Sequence, residues 1–515
     1  MSYGVVWFKR DLRLHDHAAL CAASAQGPLL CLYIIEPQLW QQPDLSSQHY
    51  HFLLECLHDL RQSLQQRGMT LLVKVGEACA VLEQLYQASP FRALYAHEET
   101  GNHFTFQRDL AVASWCRAHG LPWQEFRQSG VIRRLASRDG WAARWEQFVS
   151  APCLPVPPMQ AWPAPLASDT TPSPEQLGIY PFDPPQRQRG GRRRAIAVLQ
   201  DFLATRSSYY RGGISSPLSA PSACSRLSTY LAMGCLSLRE IVQSTRRRLT
   251  QLPADNTRQR KGLQAFISRL HWHCHFMQKL ESEPAIEWRN LHPGYDGLRE
   301  EEIDAARLQA LMDGRTGWPL VDACVAMLRH TGWLNFRMRA MLVSVAAYPL
   351  WLHWRPVGLW LARCFLDYEP GIHWSQLQMQ AGTTGINTTR VYNPVKQAMD
   401  HDPQGRFVRQ WLPAMRRVPD SWLFQPWKMP DDLSRQHGLE GEYALVQPLV
   451  ELESATRLAR QRLHARRNEQ AVRTGKQAIL HRHGSRKQLA RAGGSAKPAT
   501  TVQLALALDA EPAPD

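Results

Sequence analysis

Val5-Val6-Trp7-Phe8-Lys9-Arg10-Asp11-Leu12-Arg13-Leu14-His15-Asp16 runs from four apolar residues straight into a loop of mixed cations and acids. A short apolar run bounded by charge reads as a buried strand. Working outward, Leu29 to Ile35, Leu71 to Val75 and Ala93-Leu94-Tyr95-Ala96 read the same way. Between them Phe52, Leu53, Cys56, Leu57, Leu60 and Leu64 recur at helical spacing, as do Val81, Leu82 and Leu85. Alternating strands and helices predict a βαβ series, an α/β domain with a parallel sheet covered by helices. Loops at strand ends of such sheets bind many ligands, so the charged loop after the first strand is a candidate site of low specificity.

The 515 residues suit two to four domains. Residues 1–135 form the α/β part. From 151 to 190 there are eleven prolines, too many for regular helix or central strand, and 136–195 is assigned as a connector ending in the basic run Arg187 to Arg194. From 196 to 425 the pattern is helical: Ala195 to Thr205, a capping box at Ser237-Leu238-Arg239-Glu240, then runs through 262–281, 319–330, 334–347 and 356–367. Residues 426–515 form a basic extension. A helix fits 444–468, and much of the remainder from 455, rich in Arg, Gln, Ala and His, is expected to be disordered.

Hydrophobic residues make up 44% and charged residues 20%, a globular balance, and no stretch of about 18 apolar residues marks a membrane span. Without a secretory leader pattern at Met1 to Trp7, the expected location is the cytoplasm. The eleven cysteines are scattered, with no C-x-x-C pair, and reduced thiols are expected. The net charge of +15 points to a polyanionic partner. Most of it is local: residues 455–500 carry 12 Lys/Arg and one acid.

Three further segments acquire meaning together with Trp7 to Leu20: Cys224-Ser225-Arg226-Leu227-Ser228-Thr229-Tyr230-Leu231-Ala232-Met233-Gly234, Thr331-Gly332-Trp333-Leu334-Asn335-Phe336-Arg337-Met338-Arg339, and Arg390-Val391-Tyr392-Asn393-Pro394-Val395-Lys396-Gln397. In this order they closely resemble the photolyase/cryptochrome family. The resemblance implies a Rossmann-like N-terminal domain, a long connecting loop, and an all-α domain that binds FAD.

The resemblance also assigns residues. Ser225, Arg226, Leu227 and Ser228 fall on the phosphate-binding segment, where hydroxyls and free N–H groups ahead of a helix suit a pyrophosphate. Tyr210, or its neighbour Tyr209, falls near those phosphates. Arg339 and Asp367 match an Arg–Asp pair beside the flavin, and Glu369 an acidic position close to it. His373 stands where pyrimidine-dimer photolyases carry Asn facing flavin N5, and a histidine there can protonate the ring or shift its redox preference. Trp272 keeps the lesion-stacking position, but Arg269 replaces the lesion-binding Glu, His273 the usual Arg, Met379 a second stacking Trp, and Phe336 a substrate-side Asn. The paired histidines of (6-4) photolyases are absent at Asn335 and Phe336. Of the three-tryptophan photoreduction chain Trp354 matches the middle member, with Leu377 and Glu301 at the flanking positions; Trp374, Trp351, Trp360 or Trp333 offer another route.

A second, antenna chromophore, folate or deazaflavin, is a family option, and His97 to Asn102 follows a strand end where a ligand can sit. No metal is expected: of the histidines around Cys274 only His271 and His275 share a helix face, without a third ligand. Gln503-Leu504-Ala505-Leu506-Ala507-Leu508 resembles peptides that bind bacterial sliding clamps. The expected function is light-driven repair of pyrimidine dimers in UV-damaged DNA, with a non-repairing cryptochrome-like blue-light receptor as the alternative.

Overall fold

The computed structural model describes residues 2–301 and 304–484. Five strands, β1 (Gly4–Phe8), β2 (Leu29–Ile35), β3 (Leu71–Val75), β4 (Ala93–His97) and β5 (Trp123–Phe126), form one sheet in the order β3-β2-β1-β4-β5. Every neighbouring pair is parallel, with Gly4 level with Leu29 and Ala93. The first four are the expected strands. The fifth lies outside that expectation because Trp123-Gln124-Glu125-Phe126 is short, half-exposed and at the sheet edge. Residues of β1, β2 and β4 are buried throughout, as strands covered on both faces by helices must be. The covering helices include α1 (Ala18–Ala25), α2 (Ser47–Gln65), α3 (Ala78–Ala88) and α4 (His103–Ala118). With β1 central and β4 on the side away from β2, the loops at 9–13 and 98–102 leave the sheet as neighbours, and a crevice opens between them.

The connector contains the helix Trp141–Ser150, which composition did not separate from the proline-rich part. Beyond it the chain is extended and bonded piecemeal to the α/β domain: Trp162 N–H donates to Leu29 O, and Tyr180 O and Phe182 O accept from Ser47 and Gln48 N–H.

The principal helices that follow are α5 (Ser207–Gly213), α6 (Ser228–Ala232), α7 (Leu238–Gln251), α8 (Thr257–Ser282), α9 (Pro319–Thr331), α10 (Phe336–Ala347), α11 (Trp354–Cys364), α12 (Pro370–Ala381), α13 (Leu452–Asn468) and α14 (Gln470–His483). The capping box at Ser237 and Glu240 is formed in both directions. α12 starts on Pro370 and stops at Gly382, which takes a left-handed conformation at φ 80°. Three expectations need correction. The helix expected from 195 runs from Arg192 to Asp201 and continues as a π-turn over Phe202–Arg206. The helix expected at 356–367 ends at Cys364, so Asp367 sits on the connection between α11 and α12. The helix expected at 444–468 begins only at Leu452, and beyond it, where disorder was expected, a further helix runs from Gln470 to His483, because Ala459, Leu463 and Val472 suffice to anchor α13 and α14 to the core; the rest of the extension lies outside the described residues.

One apolar cluster runs without interruption from the sheet (Val6, Phe8, Cys31) through α2 to Tyr230, Leu263 and Leu270 of the helical part. At Gly234, φ 62°, an added Cβ would lie 2.2 Å from Arg10 O. Only glycine lets the helical domain approach the first strand-end loop this closely.

Candidate functional site

α10 and α12 and the connection before α12 border a cavity open to solvent on one side, lined by Phe336, Arg339, Asp367, Glu369, His373, Gln376 and Leu377 among others. Arg339 donates from Nη2 to Asp367 Oδ2 at 2.9 Å and from Nε to Leu334 O at 2.8 Å, and its guanidinium lies 4.1 Å from the Phe365 ring centre. Burial alone would raise the Asp367 carboxyl, but Arg339, the Ser228 hydroxyl and Arg226 outweigh it and hold the group below its usual range. A fixed cation and a compensated anion therefore share one wall.

His373, on the first turn of α12, bonds through Nε2 to Gly358 O at 2.9 Å. A carbonyl can only accept, so Nε2 carries the proton and Nδ1 of the neutral ring is an acceptor. Burial pushes this imidazole down to about 3, so it stays neutral at physiological pH. Its ring centre is 5.1 Å from Tyr368 and 4.9 Å from Trp374. Glu369, at the N-terminus of α12, meets His273 Nε2 of α8 at 2.8 Å. Burial would lower the His273 imidazole, yet the Glu369 carboxylate holds it well above its usual value. The two form an ion pair between α8 and α12.

The segment Ser225 to Ser228 enters α6, with Arg226 in a left-handed conformation at φ 59°. That turn places the Arg226 guanidinium 3.9 Å from the Trp333 ring centre, and burial lowers it to about 10. Leu227 is buried, and Ser228 acts on Asp367, linking this segment to the cavity wall. The two candidate tyrosines separate: Tyr210 is buried among Phe202 and Phe266 with its hydroxyl near Arg269, whereas Tyr209 is 55% exposed beneath Arg258. Trp272, on α8 with Arg269, stacks on Phe276 at 5.8 Å. Phe336 stands at the cavity with 36% of its surface exposed, while Met379 is buried.

Trp354 and Trp374 come together, their rings 5.9 Å apart at 69°. Trp374 Nε1 donates to Tyr368 OH at 3.1 Å, and that hydroxyl donates to Asp44 Oδ2 at 2.6 Å. Trp333 and Trp351 instead lie under Arg226 and Arg299. The Tyr368–Asp44 link joins positions 324 residues apart, and no local pattern announces it.

Two clefts flank the strand-end loops. One, of about 690 Å³, lies between Arg10, Glu98, Thr100 and Gln128 on one side and His273 and Glu369 on the other. The second, of about 640 Å³, is lined by Trp7, Lys9, Trp40, Asn102 and Arg108. Arg108 is held by Glu36, Glu99 and Asp109 at 2.6–2.9 Å. His97 itself belongs to a buried triad, with Nδ1 2.7 Å and His17 Nε2 3.0 Å from Asp11 Oδ2. These three could face a metal, but His17 Nδ1 accepts the Leu20 N–H, which leaves the proton on Nε2 and no lone pair there for an ion. The triad is a hydrogen-bonded support for the first strand-end loop.

The family model for DNA photolyase matches residues 4–137 and that for the FAD binding domain of DNA photolyase matches 266–465, together more than half of the chain. The chain belongs to the photolyase/cryptochrome family. It is 28% identical over 454 residues to a deoxyribodipyrimidine photo-lyase of Vibrio cholerae, covering 83% of this chain and 93% of the relative. It is 27% identical over 480 residues to a cryptochrome DASH of Synechocystis, covering 85% and 92%. A class III photolyase from Agrobacterium tumefaciens shares the fold with a TM-score of 0.77 at 22% identity, over 91% of this chain and 98% of that one. The cofactor of this domain is FAD, and the cavity's residues fit it. Asp367 Oδ1 and Gln376 Oε1 are buried acceptors on its walls without a donor in the protein, as is Thr229 Oγ1 in α6. A flavin imide edge and a ribityl chain bring N–H and O–H donors. No helix among the described residues is long and apolar enough to cross a membrane, and Gln503 to Leu508 lie outside the described residues.

Proposed function

We propose that this chain is a deoxyribodipyrimidine photolyase that repairs UV-damaged DNA in light. The observation that carries the reading is the Arg339–Asp367 wall of a cavity whose buried acceptors lack partners, on a chain with the FAD-binding domain of photolyases. Bound reduced FAD would supply the light-excited electron that opens a cyclobutane dimer and take it back after ring splitting. The chain's part is electrostatic and positional. Arg339 stabilises negative charge beside the cavity, and Asp367 keeps that guanidinium oriented. His373, held neutral, presents Nδ1 as an acceptor without adding charge. Tyr210, Ser225, Arg226, Leu227 and Ser228 hold the cofactor's phosphate end. A dimer must leave the duplex to reach a buried cavity; Trp272 stacks against it and Arg269 meets its carbonyl or phosphate oxygens. Electrons reach the cavity through Trp354 and Trp374, the indole beside His373. Folate or deazaflavin as a second chromophore would occupy a cleft beside the strand-end loops. Acting on chromosomal DNA, the protein works in the cytoplasm, and Gln503 to Leu508 would offer a sliding-clamp contact.

A second reading, a cryptochrome-like blue-light receptor without repair, is favoured by Phe336, whose exposed ring replaces an amide at the cavity, together with Arg269 and Met379. Chemically reduced protein assayed on oligonucleotides bearing one cyclobutane dimer or one (6-4) photoproduct, in light and in darkness, separates the two. Light-dependent restoration of the cyclobutane substrate is expected. Loaded, reduced protein that restores neither lesion would replace this reading with the receptor.

A further inference from the structure

The two C-terminal helices carry charge in an ordered way. On α13, Arg457, Arg460, His464 and Arg467 are spaced three, four and three residues apart, which puts them on one side of a helix, and all four are exposed. The adjoining side is fixed: Ala459 and Leu463 are buried, and an added Cβ on Gly382, at the end of α12, would lie 3.1 Å from the Leu463 side chain. α14 is tied down through Val472, whose carbonyl bonds His292 Nε2 at 2.9 Å, and through Arg482, which meets Glu283 at 3.3 Å. Arg473 and Lys476 continue the positive surface on α14. The nearby acids are Glu451, which caps α13 and faces Arg457, Glu453 in its first turn, and Glu469 between the helices, which is engaged by Arg466. Among the described residues Arg460, Arg467, Arg473 and Lys476 have no ion-pair partner, and Arg457 has only the exposed Glu451 carboxylate in its neighbourhood.

Unpaired cations on a rigid helix at regular spacing are suited to a regular polyanion. We propose that α13 and α14 form a second nucleic-acid surface, which holds the phosphate backbone of duplex DNA without reading its sequence. Gly382 ties this surface to the C-terminal end of α12, two residues beyond Gln380 in the cavity's lining, so it holds duplex alongside the cavity rather than within it and acts on undamaged DNA too. The surface does not depend on repair: it operates in darkness, on any sequence, whatever the cavity does.

The test uses the full-length, FAD-loaded protein and an undamaged fluorescent duplex, in the dark, over a series of salt concentrations. Neutralising three phosphate contacts in Arg457→Gln/Arg460→Gln/Arg467→Gln is expected to reduce the slope of log affinity against log salt by about 2 to 3, and to weaken binding at least about tenfold near 0.1 M salt. The triple lysine variant, which keeps the charge, is expected to bind as wild type. Unfolding temperatures of both variants within a degree or so of wild type would show that the effect is one of charge. An unchanged slope in the glutamine variant overturns the proposal, as does equal loss in the lysine variant. Loss of binding to anionic lipid vesicles with undiminished DNA binding would overturn it in favour of a membrane surface.

Discussion

Asp367 has one oxygen on Arg339 and the other without a donor from the chain. Asp367→Asn removes the anion that orients Arg339. We expect purified protein to carry much less FAD, read from its flavin absorbance, and to lose about 3 kcal/mol at most, since Arg339 is partly exposed. Full FAD occupancy in that variant would show that the pair is not part of the cofactor site. The Asp11–His17–His97 triad predicts acid lability. Burial pushes His97 down to about 3 and lowers His17. In the unfolded chain both titrate near 6.5, so unfolding takes up protons below that pH. Their contribution is whole above about 6.5 and falls as the pH drops toward 3. Asp11, held well below its usual range by the two imidazoles despite its burial, acts with the same sign at lower pH. His273 acts oppositely: raised by Glu369, it contributes below 6.5 and is lost as the pH rises through its elevated value. Unfolding temperatures measured from pH 7.5 to 4.5 should therefore decline, and less steeply in His97→Asn; a flat profile would contradict this account. These residues also show what the sequence disclosed. Arg339, Asp367 and Ser225 to Ser228 were legible only through motif resemblance, because a pair 28 residues apart has no local signature. The His273–Glu369 and Tyr368–Asp44 contacts were not legible at all.

Among the elements, α11 and α12 cross so that Gly358 faces the Trp374 ring; a Cβ there would lie 2.5 Å from it. That contact keeps Trp374 between His373 and Trp354. Trp374→Phe is expected to slow the bleaching of the bound flavin band in light with an external thiol, while chemical reduction proceeds normally. An unchanged rate would place the electron path elsewhere. Gly234→Ala should cost at least about 2 kcal/mol, because the position needs a left-handed backbone and offers no room for a methyl group; equal urea midpoints would contradict this. Four strands were readable because each is a short apolar run between charges. β5 was not, since a half-exposed edge strand lacks that contrast. α13 falls within the helix expected at 444–468, whereas α14 was hidden by composition: Val472 is too solitary an anchor to stand out among arginines and glutamines.

At the scale of the whole molecule, the uninterrupted apolar cluster from the sheet to α8 means that neither half buries its own surface alone. Calorimetry should show one dominant unfolding transition for both domains. Two well-separated transitions would mean that the halves fold independently. The basic balance, read from composition as a polyanion signal, becomes specific only once α13 is seen to be docked.

Glu369 stands at once in the wall of the Arg339–Asp367 cavity and, together with its partner His273, in the wall of the cleft beside the strand-end loops. A molecule settling on either side alters the field across the same shared charges. Binding on the two sides is therefore linked: whatever one ligand does to the affinity of the other, the second does in equal measure to the first.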